Sequence, residues 1–459
     1  MNSRNAITFI VGILGGAGTV YTVICLRRRL RKSCTKLTHE QLIDQISLET
    51  LRKLSEVPNQ SIRQCAFHIL KARALKPEFL WILVQLCYAE NEKCVLEACA
   101  VLESLTKNPE CRARIVYVGG LEALSNVIYR SWRNKGEIYV NDCGKIQLLA
   151  CMAIADLIIN NNTSKLQLLD KNPSFLPSIL GIMNDTSSRE LEKWGLYLIH
   201  QITLCEATRD WLCQHWAVIK IVSKLVVKSQ GEPLRLKLAF QVLVTLANIL
   251  MANDEENVLK EIRSFGVIMP MIGCFKSDNH ELVYWAVGLL HEFVTFNIAL
   301  PEICAVPVLL RYLCNVLTSS EATIQRLVLR VLRHLCECSE DFLTKTMHNK
   351  YLLARLPICL SSGDPDVRSW SLYLIHDIAK SGIEGILLLF EHAKGIVEAL
   401  VEICARNVFN QDANTICRYI AETLGFLCSM ETIQCEVVKA GALKAVLQIS
   451  MMEDIDMKF

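Results

Sequence analysis

The apolar residues of this chain recur with the spacing of amphipathic helices, and one helical pattern is repeated along it. Residues 194–200 (WGLYLIH) return as residues 370–376 (WSLYLIH) and, more loosely, as residues 285–291 (WAVGLLH). Trp194, Leu198 and Ile202 are four residues apart, so they lie on one face of a helix. The pattern predicts one helix copied along the chain, with the repeated Trp on the buried face.

The copies follow one another at a nearly constant interval. The sixth residue after the Trp position falls at His68, Ser104, Asp156, His200, Asn248, His291, His334, His376 and Phe426. Most intervals are 42 to 52 residues and the first is 36, which is the period of armadillo and HEAT repeats. The longest interval contains a polar insertion at residues 131–137, for which we predict a surface loop.

Short stretches resemble these repeat families more specifically. Residues 115–124 (IVYVGGLEAL) and 437–446 (VVKAGALKAV) resemble the armadillo turn between the first and second helices, where Gly permits positive φ or a close approach. Residues 242–249 (VLVTLANI) resemble the third helix, with the groove asparagine of the family at Asn248. Residues 364–368 (DPDVR) resemble the start of a HEAT helix, a cap followed by Pro. The resemblance implies an all-α fold, a right-handed armadillo-like α-solenoid of about nine repeats over residues 41–459.

Composition agrees with a helical array and argues against one class of partner. Hydrophobic residues make up 52% of the 459 residues and aromatic residues 7%. Of 49 basic residues, six lie in residues 1–32, so the remaining 43 stand against 47 acidic residues. The body therefore carries a net charge of −4. A nucleic-acid groove needs a basic stripe, so we expect no nucleic-acid partner.

The N-terminal segment predicts a membrane anchor. Residues 6–26 contain no charge, and 21 residues suffice to cross a bilayer core as a helix. A basic flank follows directly, formed by Arg27, Arg28, Arg29, Arg31 and Lys32. Basic residues after the segment favour a cytosolic body over a cleaved signal peptide. We thus predict a tail at residues 1–5, a transmembrane signal anchor at 6–26 and a basic, polar linker at 27–40.

Residues 16–21 (GAGTVY) resemble the Gly-Ala-Gly-x-x-Tyr stretch in the anchors of Alex-type armadillo proteins of the mitochondrial outer membrane. That resemblance implies a single-pass protein of this membrane with a role in organelle distribution or tethering. An adaptor on the endoplasmic reticulum or a vacuolar membrane is the alternative location.

The sequence contains no recognisable catalytic or metal-binding motif. There is no Gly-x-Ser-x-Gly elbow, phosphate loop or His-Glu-x-x-His. His334, Cys336 and Cys338 do not share one helix face, so we interpret them as a buried His and two core cysteines. The 21 cysteines follow no spaced framework, and those inside apolar runs, such as Cys99, Cys151 and Cys404, are expected to be buried free thiols. We therefore predict no enzymatic activity, no metal and no cofactor.

The repeated His defines the candidate site. In armadillo proteins the third helix lines a groove, and its Asn bonds the backbone of an extended peptide. By resemblance, the partner groove consists of His68, His200, Asn248, His291, His334 and His376. Neutral imidazole both donates and accepts, as an amide does. The alternative is that each His bonds within its own repeat or to the next turn.

The groove Trp of the family, four residues earlier, is replaced by Leu196, Val244, Val287, Arg330 and Leu372. This difference argues against binding of classical nuclear-import signals. The sequence predicts a membrane-anchored scaffold or adaptor that binds a protein partner, including an extended peptide segment. The alternative from another class is the regulatory solenoid of a truncated hydrolase-type enzyme.

Overall fold

The computed structural model describes residues 47–133, 142–208, 212, 217–229, 231–250, 255–407 and 413–447. These residues are helical or in turns, and none of them forms a strand, which confirms the all-α prediction. The chain divides into two compact units, Met1–Gln214 (unit 1) and His215–Phe459 (unit 2). The predicted tail, anchor and basic flank, residues 1–40, lie outside the described residues.

Unit 1 consists of short helices that alternate with longer ones. Its helices are α1 (Leu48–Ser55), α2 (Gln60–Ala72), α3 (Pro77–Leu86), α4 (Glu92–Thr106), α5 (Pro109–Tyr117), α6 (Gly120–Arg133), α7 (Cys143–Ile158), α8 (Asn162–Lys171), α9 (Phe175–Asp185) and α10 (Arg189–Thr203). The helices α2, α4, α7 and α10 carry the repeat position, and each packs on the next. Their apolar faces bury Leu102, Ile154 and Leu198 completely.

Unit 2 continues the same succession of helices. They are α11 (Ala217–Lys228), α12 (Pro233–Leu250), α13 (Glu255–Ser264), α14 (Ile268–Gly273), α15 (His280–Thr295), α16 (Leu300–Cys304), α17 (Leu309–Val316), α18 (Ala322–Cys338), α19 (Glu340–Met347), α20 (Lys350–Leu360), α21 (Pro365–Lys380), α22 (Ile383–His392), α23 (Ile396–Asn407), α24 (Ala413–Cys428) and α25 (Glu431–Lys439). The third helices α12, α15, α18, α21 and α24 pack in series, and they bury residues such as Phe240, Leu289 and Leu332.

The repeat position lies near the C-terminal end of each helix that carries it, in both units. Each of the residues from His68 to Phe426 lies two to four positions before the end of its helix. The alignment made from the sequence therefore follows the helices, since a shift of one residue would have rotated the position to another face.

Local sequence sets the helix starts. Asp364 accepts a hydrogen bond through Oδ1 from the backbone N–H of Val367 at 3.0 Å, and Pro365 occupies the first helical position of α21. A side-chain acceptor satisfies an otherwise unpaired N–H, and Pro has none to satisfy. The cap that the sequence predicted here is confirmed.

The predicted glycine turns are also confirmed. Gly119, between α5 and α6, has φ +85°, and Gly441, which follows α25, has φ +97°. A side chain disfavours this left-handed conformation, which Gly adopts freely. At Gly120 a Cβ would lie 2.8 Å from the carbonyl oxygen of Ile115, so this Gly permits the close approach of α5 and α6.

The surface loop predicted for the polar insertion at residues 131–137 does not begin at residue 131. Residues 131–133 are the last turn of α6, and Ser131 is buried rather than in a surface loop. Trp132 packs against Gly181 of α9, where a Cβ would clash with the indole. The rest of the insertion lies outside the described residues.

The predicted single-pass membrane location is contradicted. Among the helices described here, none is both long and apolar enough to cross a membrane. A bilayer core of about 30 Å needs about 20 predominantly apolar residues, whereas these helices run to 18 residues at most and carry polar residues on one face. The assignment to the mitochondrial outer membrane, and the alternative on other membranes, is corrected accordingly.

Candidate functional site

Trp370, Tyr373 and His376 lie on one face of α21 because they are three residues apart. The opposite face, which includes Leu374 and Ile378, is completely buried. Trp370 and Tyr373 are half-buried, and their rings meet edge to face with centroids 5.5 Å apart. This helix thus shows one apolar face to the core and an aromatic face on its other side.

The aromatic face continues across four third helices of unit 2, and we name it the aromatic row. Ring contacts link His291 of α15 to His334 of α18 at 6.2 Å, and His334 to Trp370 of α21 at 6.4 Å. Further along, Tyr373 and His376 of α21 contact Tyr419 of α24 at 4.7 and 4.8 Å. His376 also lies 5.7 Å from the ring of Phe426 of α24. The row therefore consists of His291, His334, Trp370, Tyr373, His376, Tyr419 and Phe426, together with the arginines Arg330 and Arg333 that cover its rings.

Two arginines of α18 pack on the rings of α21. The guanidinium carbons of Arg330 and Arg333 lie 4.9 and 5.7 Å from the ring centroid of Trp370, and Arg333 also lies 4.9 Å from that of Tyr373. Cations are attracted to the negative face of an aromatic ring. These contacts link α18 and α21 on their partly exposed side, away from the apolar core.

Arg333 is paired with carboxylates as well as stacked. Its Nε donates to Asp377 at 3.0 Å, and its Nη2 lies 2.8 Å from Glu337. Burial of the guanidinium opposes the charge, but the hydrogen bond to Asp377 and both carboxylates outweigh burial and hold the pKa of Arg333 above its usual value. The charge of this arginine is therefore already compensated within the protein.

The surroundings of His334 favour its neutral form. Burial lowers the pKa of His334 below its usual value, and the nearby His291 and Arg333 add to this effect, although Glu337 opposes it at 3.3 Å. A neutral imidazole keeps one donor and one acceptor nitrogen. It can therefore bond either type of backbone group in a bound chain.

The six predicted groove residues occupy different environments. His376 is 5% exposed, and its Nε2 lies 3.0 Å from Glu422 of α24. His200, His291 and His334 are half-buried, whereas His68 and Asn248 are exposed. The side-chain amide of Asn248 donates to the carbonyl of Val244 in its own helix at 3.0 Å.

The structure brings three of these six residues into one row. His291, His334 and His376 all belong to the aromatic row of unit 2, and Asn248 lies on α12, which packs on α15. His68 and His200 belong to unit 1. The alternative interpretation, in which the His bonds to its own or the neighbouring repeat, describes His376 well, because this residue contacts both Asp377 and Glu422.

The repeated Trp is not in the core, contrary to the prediction from its spacing. Trp194, Trp285 and Trp370 are each half-buried, whereas Leu198 and Ile202 of the same helix as Trp194 are completely buried. Each Trp instead contacts a Tyr on its own helix, as Trp194 does with Tyr197 at 5.5 Å. The four-residue spacing predicted the face of the helix, but the Trp lies at the edge of that face, where only part of the indole is buried.

The position of the family's groove Trp is also filled in two ways. Leu196, Val244, Val287 and Leu372 are buried there, so at these copies the position belongs to the core. Arg330 occupies the same position on α18 and is half-buried against Trp370. Arg330 therefore presents a cation where these four copies bury an apolar side chain.

The residues His334, Cys336 and Cys338 have different surroundings. Cys336 is buried and its Sγ lies 3.5 Å from Thr346, whereas Cys338 is exposed and lies 3.3 Å from Asn297. The interpretation of Cys338 as a core residue is thus wrong. In the part of the chain that the structure describes, no cluster of three or more His, Cys, Asp or Glu residues could hold a metal ion.

Sequence reasoning missed the partners that complete the row. Tyr373, Tyr419 and Arg333 were not among the predicted site residues, although they supply most of its contacts between helices. A signal was present at one of them, since Tyr occurs three residues after Trp both at Tyr197 and at Tyr373.

Comparison with known proteins supports the fold. The sequence matches no protein-family model and no curated protein. Solved structures that are similar over most of their length include the following two. One chain comes from a study of a conserved phosphorylation switch that controls the interaction between cadherin and beta-catenin, with 13% identity, a TM-score of 0.63 and coverage of 98% of this chain and 99% of that one. The other is an engineered protein of a structural genomics consortium, with 18% identity, a TM-score of 0.58 and coverage of 87% and 93%.

These likenesses show an armadillo/HEAT-like helical-repeat fold. Identities this low concern the fold alone. The narrower resemblance to Alex-type proteins rests on residues 16–21, which lie outside the described residues, and it stays a prediction.

Proposed function

We propose that the protein is a protein-binding scaffold whose aromatic row binds an extended segment of a partner. The observation that carries the proposal is the unbroken chain of ring contacts across α15, α18, α21 and α24, made by side chains that remain partly exposed. Aromatic residues that are rigid, partly apolar and able to hydrogen-bond are enriched in protein interfaces. Adjacent third helices offer repeated contact points to an extended chain.

The roles within the row differ. His291 and His334 offer half-buried imidazoles, and Trp370, Tyr373 and Tyr419 offer ring surfaces. His376 is too buried to contact a partner directly. It instead contacts Tyr419 and Glu422 and so fixes their positions. The neighbour from the cadherin and beta-catenin study also concerns an interaction between two proteins, which agrees with this proposal. Partner contacts at His68, His200 and Asn248 stay a prediction.

Peptide selection on the full-length protein tests the proposal. A library of displayed peptides of about 15 residues suits the row, because such a chain spans about 50 Å when extended and four packed helices span about 30 Å. We expect peptides whose affinity falls at least about tenfold in the double variant His291→Ala, Tyr373→Ala, a loss typical of interface residues in the centre of a contact.

The matched control is the double variant His348→Ala, Tyr117→Ala. It removes the same residue types, both exposed, from outside the row and the predicted groove residues, and affinity should not change. Melting temperatures of all variants show whether they fold. Peptides that bind the folded row variant as well as the wild type would contradict the proposal, and so would a selection that yields no binder.

A further inference from the structure

Arg330 differs from its neighbours on α18 because none of the described residues places a carboxylate beside it. Arg326, one turn earlier, lies 2.8 Å from Asp366, and Arg333, one turn later, bonds Asp377 and Glu337. No carboxylate of the described residues lies within ion-pair distance of Arg330, and its Nε is buried without a hydrogen-bond partner there. A half-buried cation without a counter-charge is unfavourable, and like charges one turn apart add repulsion.

Two carboxylates of this part of the row are already engaged. Asp377 is bound by Arg333 and His376, and Glu422 by Arg418 and His376. A rearrangement that gave Arg330 one of these carboxylates would take it from Arg333 or Arg418. A bound partner segment can instead supply the carboxylate that the described residues do not place beside Arg330.

The position of Arg330 makes it accessible to a ligand of the row. It stacks on Trp370 at 4.9 Å, which fixes its side chain and covers one face of the guanidinium. A fixed guanidinium offers N–H donors in a planar fork that matches a carboxylate. On α12, α15 and α21 the equivalent position is a buried apolar residue, Val244, Val287 or Leu372, and on α24 it is Glu422. Among these five helices the guanidinium therefore occurs on α18.

We propose that Arg330 and Trp370 form a subsite for an acidic side chain, Asp or Glu, of the bound partner segment. This inference rests on the proposed function, since it assigns the chemistry of one contact within the same row. The carboxylate lies against the guanidinium of Arg330, and the flanking residues of the segment lie along the rings of Trp370 and Tyr373. The preferred partner is an extended segment with one acidic residue at a fixed place, rather than a generally acidic one.

Peptides selected on the wild type should carry Asp or Glu at one recurring position. A labelled peptide from this set and its Glu→Gln or Asp→Asn form are then titrated against full-length wild type and Arg330→Gln by fluorescence anisotropy. We expect the amide form to bind about tenfold more weakly to the wild type, as expected for loss of a charge-assisted pair of about 1.4 kcal/mol. Both forms should bind Arg330→Gln equally.

Arg326→Gln is the matched control, because it removes the same charge one turn away on the same helix. It should keep the preference for the acidic peptide. If Arg330→Gln melts below the wild type, Arg330→Lys replaces it, and the preference should fall several-fold because a point charge replaces the fork. An acidic preference that persists in the folded Arg330 variants, or is absent in the wild type, overturns the subsite while row-dependent binding still stands. Absence of any row-dependent peptide overturns the proposed function itself.

Discussion

At the scale of single residues, one repeat position places the same side chain in different environments. His376 is 5% exposed and contacts Asp377 and Glu422, whereas His68 is exposed at the equivalent place in α2. Aligned residues of a repeat protein share backbone position, but each side chain takes its surroundings from the neighbouring repeat. Equivalence in sequence therefore does not imply an equivalent role.

This contrast predicts unequal effects of the same substitution. His376→Ala removes a buried, hydrogen-bonded ring and should lower the free energy of unfolding by about 1–3 kcal/mol. His68→Ala, at the exposed position, should stay within about 0.5 kcal/mol of the wild type. Urea denaturation of the full chain, followed by circular dichroism, measures both. Equal losses would show that the buried contacts of His376 contribute nothing.

His334 predicts a dependence of stability on pH. Burial is the main reason why the pKa of His334 is lowered in the folded protein. The unfolded chain therefore binds a proton at this residue more readily than the folded protein does. The stabilisation is therefore complete above the unfolded pKa of about 6.5 and is lost as the pH falls below it. Between about pH 7.5 and about pH 5.5, the melting temperature of His334→Gln should fall less than that of the wild type. An identical loss in both proteins would contradict this assignment.

At the scale of the helix, each helix that carries the repeat position has an apolar face and a polar, aromatic face. In α15, Leu289 and Phe293 are completely buried, whereas Trp285 is half-buried and contacts Tyr284 at 5.1 Å. The helix is amphipathic, and its large aromatic residue lies at the boundary of the two faces. The size of a side chain alone therefore does not measure its share of the core.

The two faces predict an order of stability losses in α15. Leu289→Ala leaves a cavity in the core and should cost about 2–5 kcal/mol. Trp285→Ala should cost less, about 1–2 kcal/mol, because part of the indole is already in water. Denaturant titrations of the two variants compare them directly. A larger loss for Trp285→Ala would return this Trp to the core.

The close packing at the turn between α5 and α6 predicts that Gly120 tolerates substitution less well than Gly144, which lies in α7. Gly120→Ala would place a Cβ against Ile115 and its carbonyl and should cost at least about 1 kcal/mol. Gly144→Ala, in α7, meets no atom within 4 Å and should be neutral or stabilising, since Ala favours helices. Thermal melts of the two variants measure this. The opposite order would exclude a close approach at Gly120.

At the scale of the whole molecule, the cysteines belong to the helical cores and not to a disulfide framework. The 18 cysteines among the described residues are free thiols. Cys99, Cys151 and Cys404 are completely buried, which confirms the prediction made from their apolar surroundings. Both units therefore depend on packing between helices for their stability.

Thiol labelling of the native protein should follow this burial. We expect maleimide to modify the exposed Cys65, Cys338 and Cys435 rapidly, and to reach Cys99 and Cys151 only after denaturation. Burial raises the pKa of Cys151 to about 12, so its reactive thiolate is scarce as well as inaccessible. Mass spectrometry of the digested protein locates the labels. Fast labelling of Cys151 would show that its helix opens readily.

Much of this fold follows from the sequence by itself. The three- and four-residue spacing of apolar side chains determined the long helices, and Asp364-Pro365, Gly119 and Gly441 determined starts and turns. These features depend on the backbone preferences of a few adjacent residues, so they can be read locally. Three residues of the aromatic row, His291, His334 and His376, could be predicted because the repeat aligns them.

Tertiary structure alone decided what those residues contact. Arg333 meets Asp377, and His376 meets Glu422, across 44 and 46 residues of the chain. Such pairs depend on the packing of one third helix against the next, and spacing within a single helix carries no information about it. The same packing left Trp370 half-buried and completed the row with Tyr419. It also placed no described carboxylate beside Arg330, because these outcomes depend on which side chains the neighbouring repeat supplies.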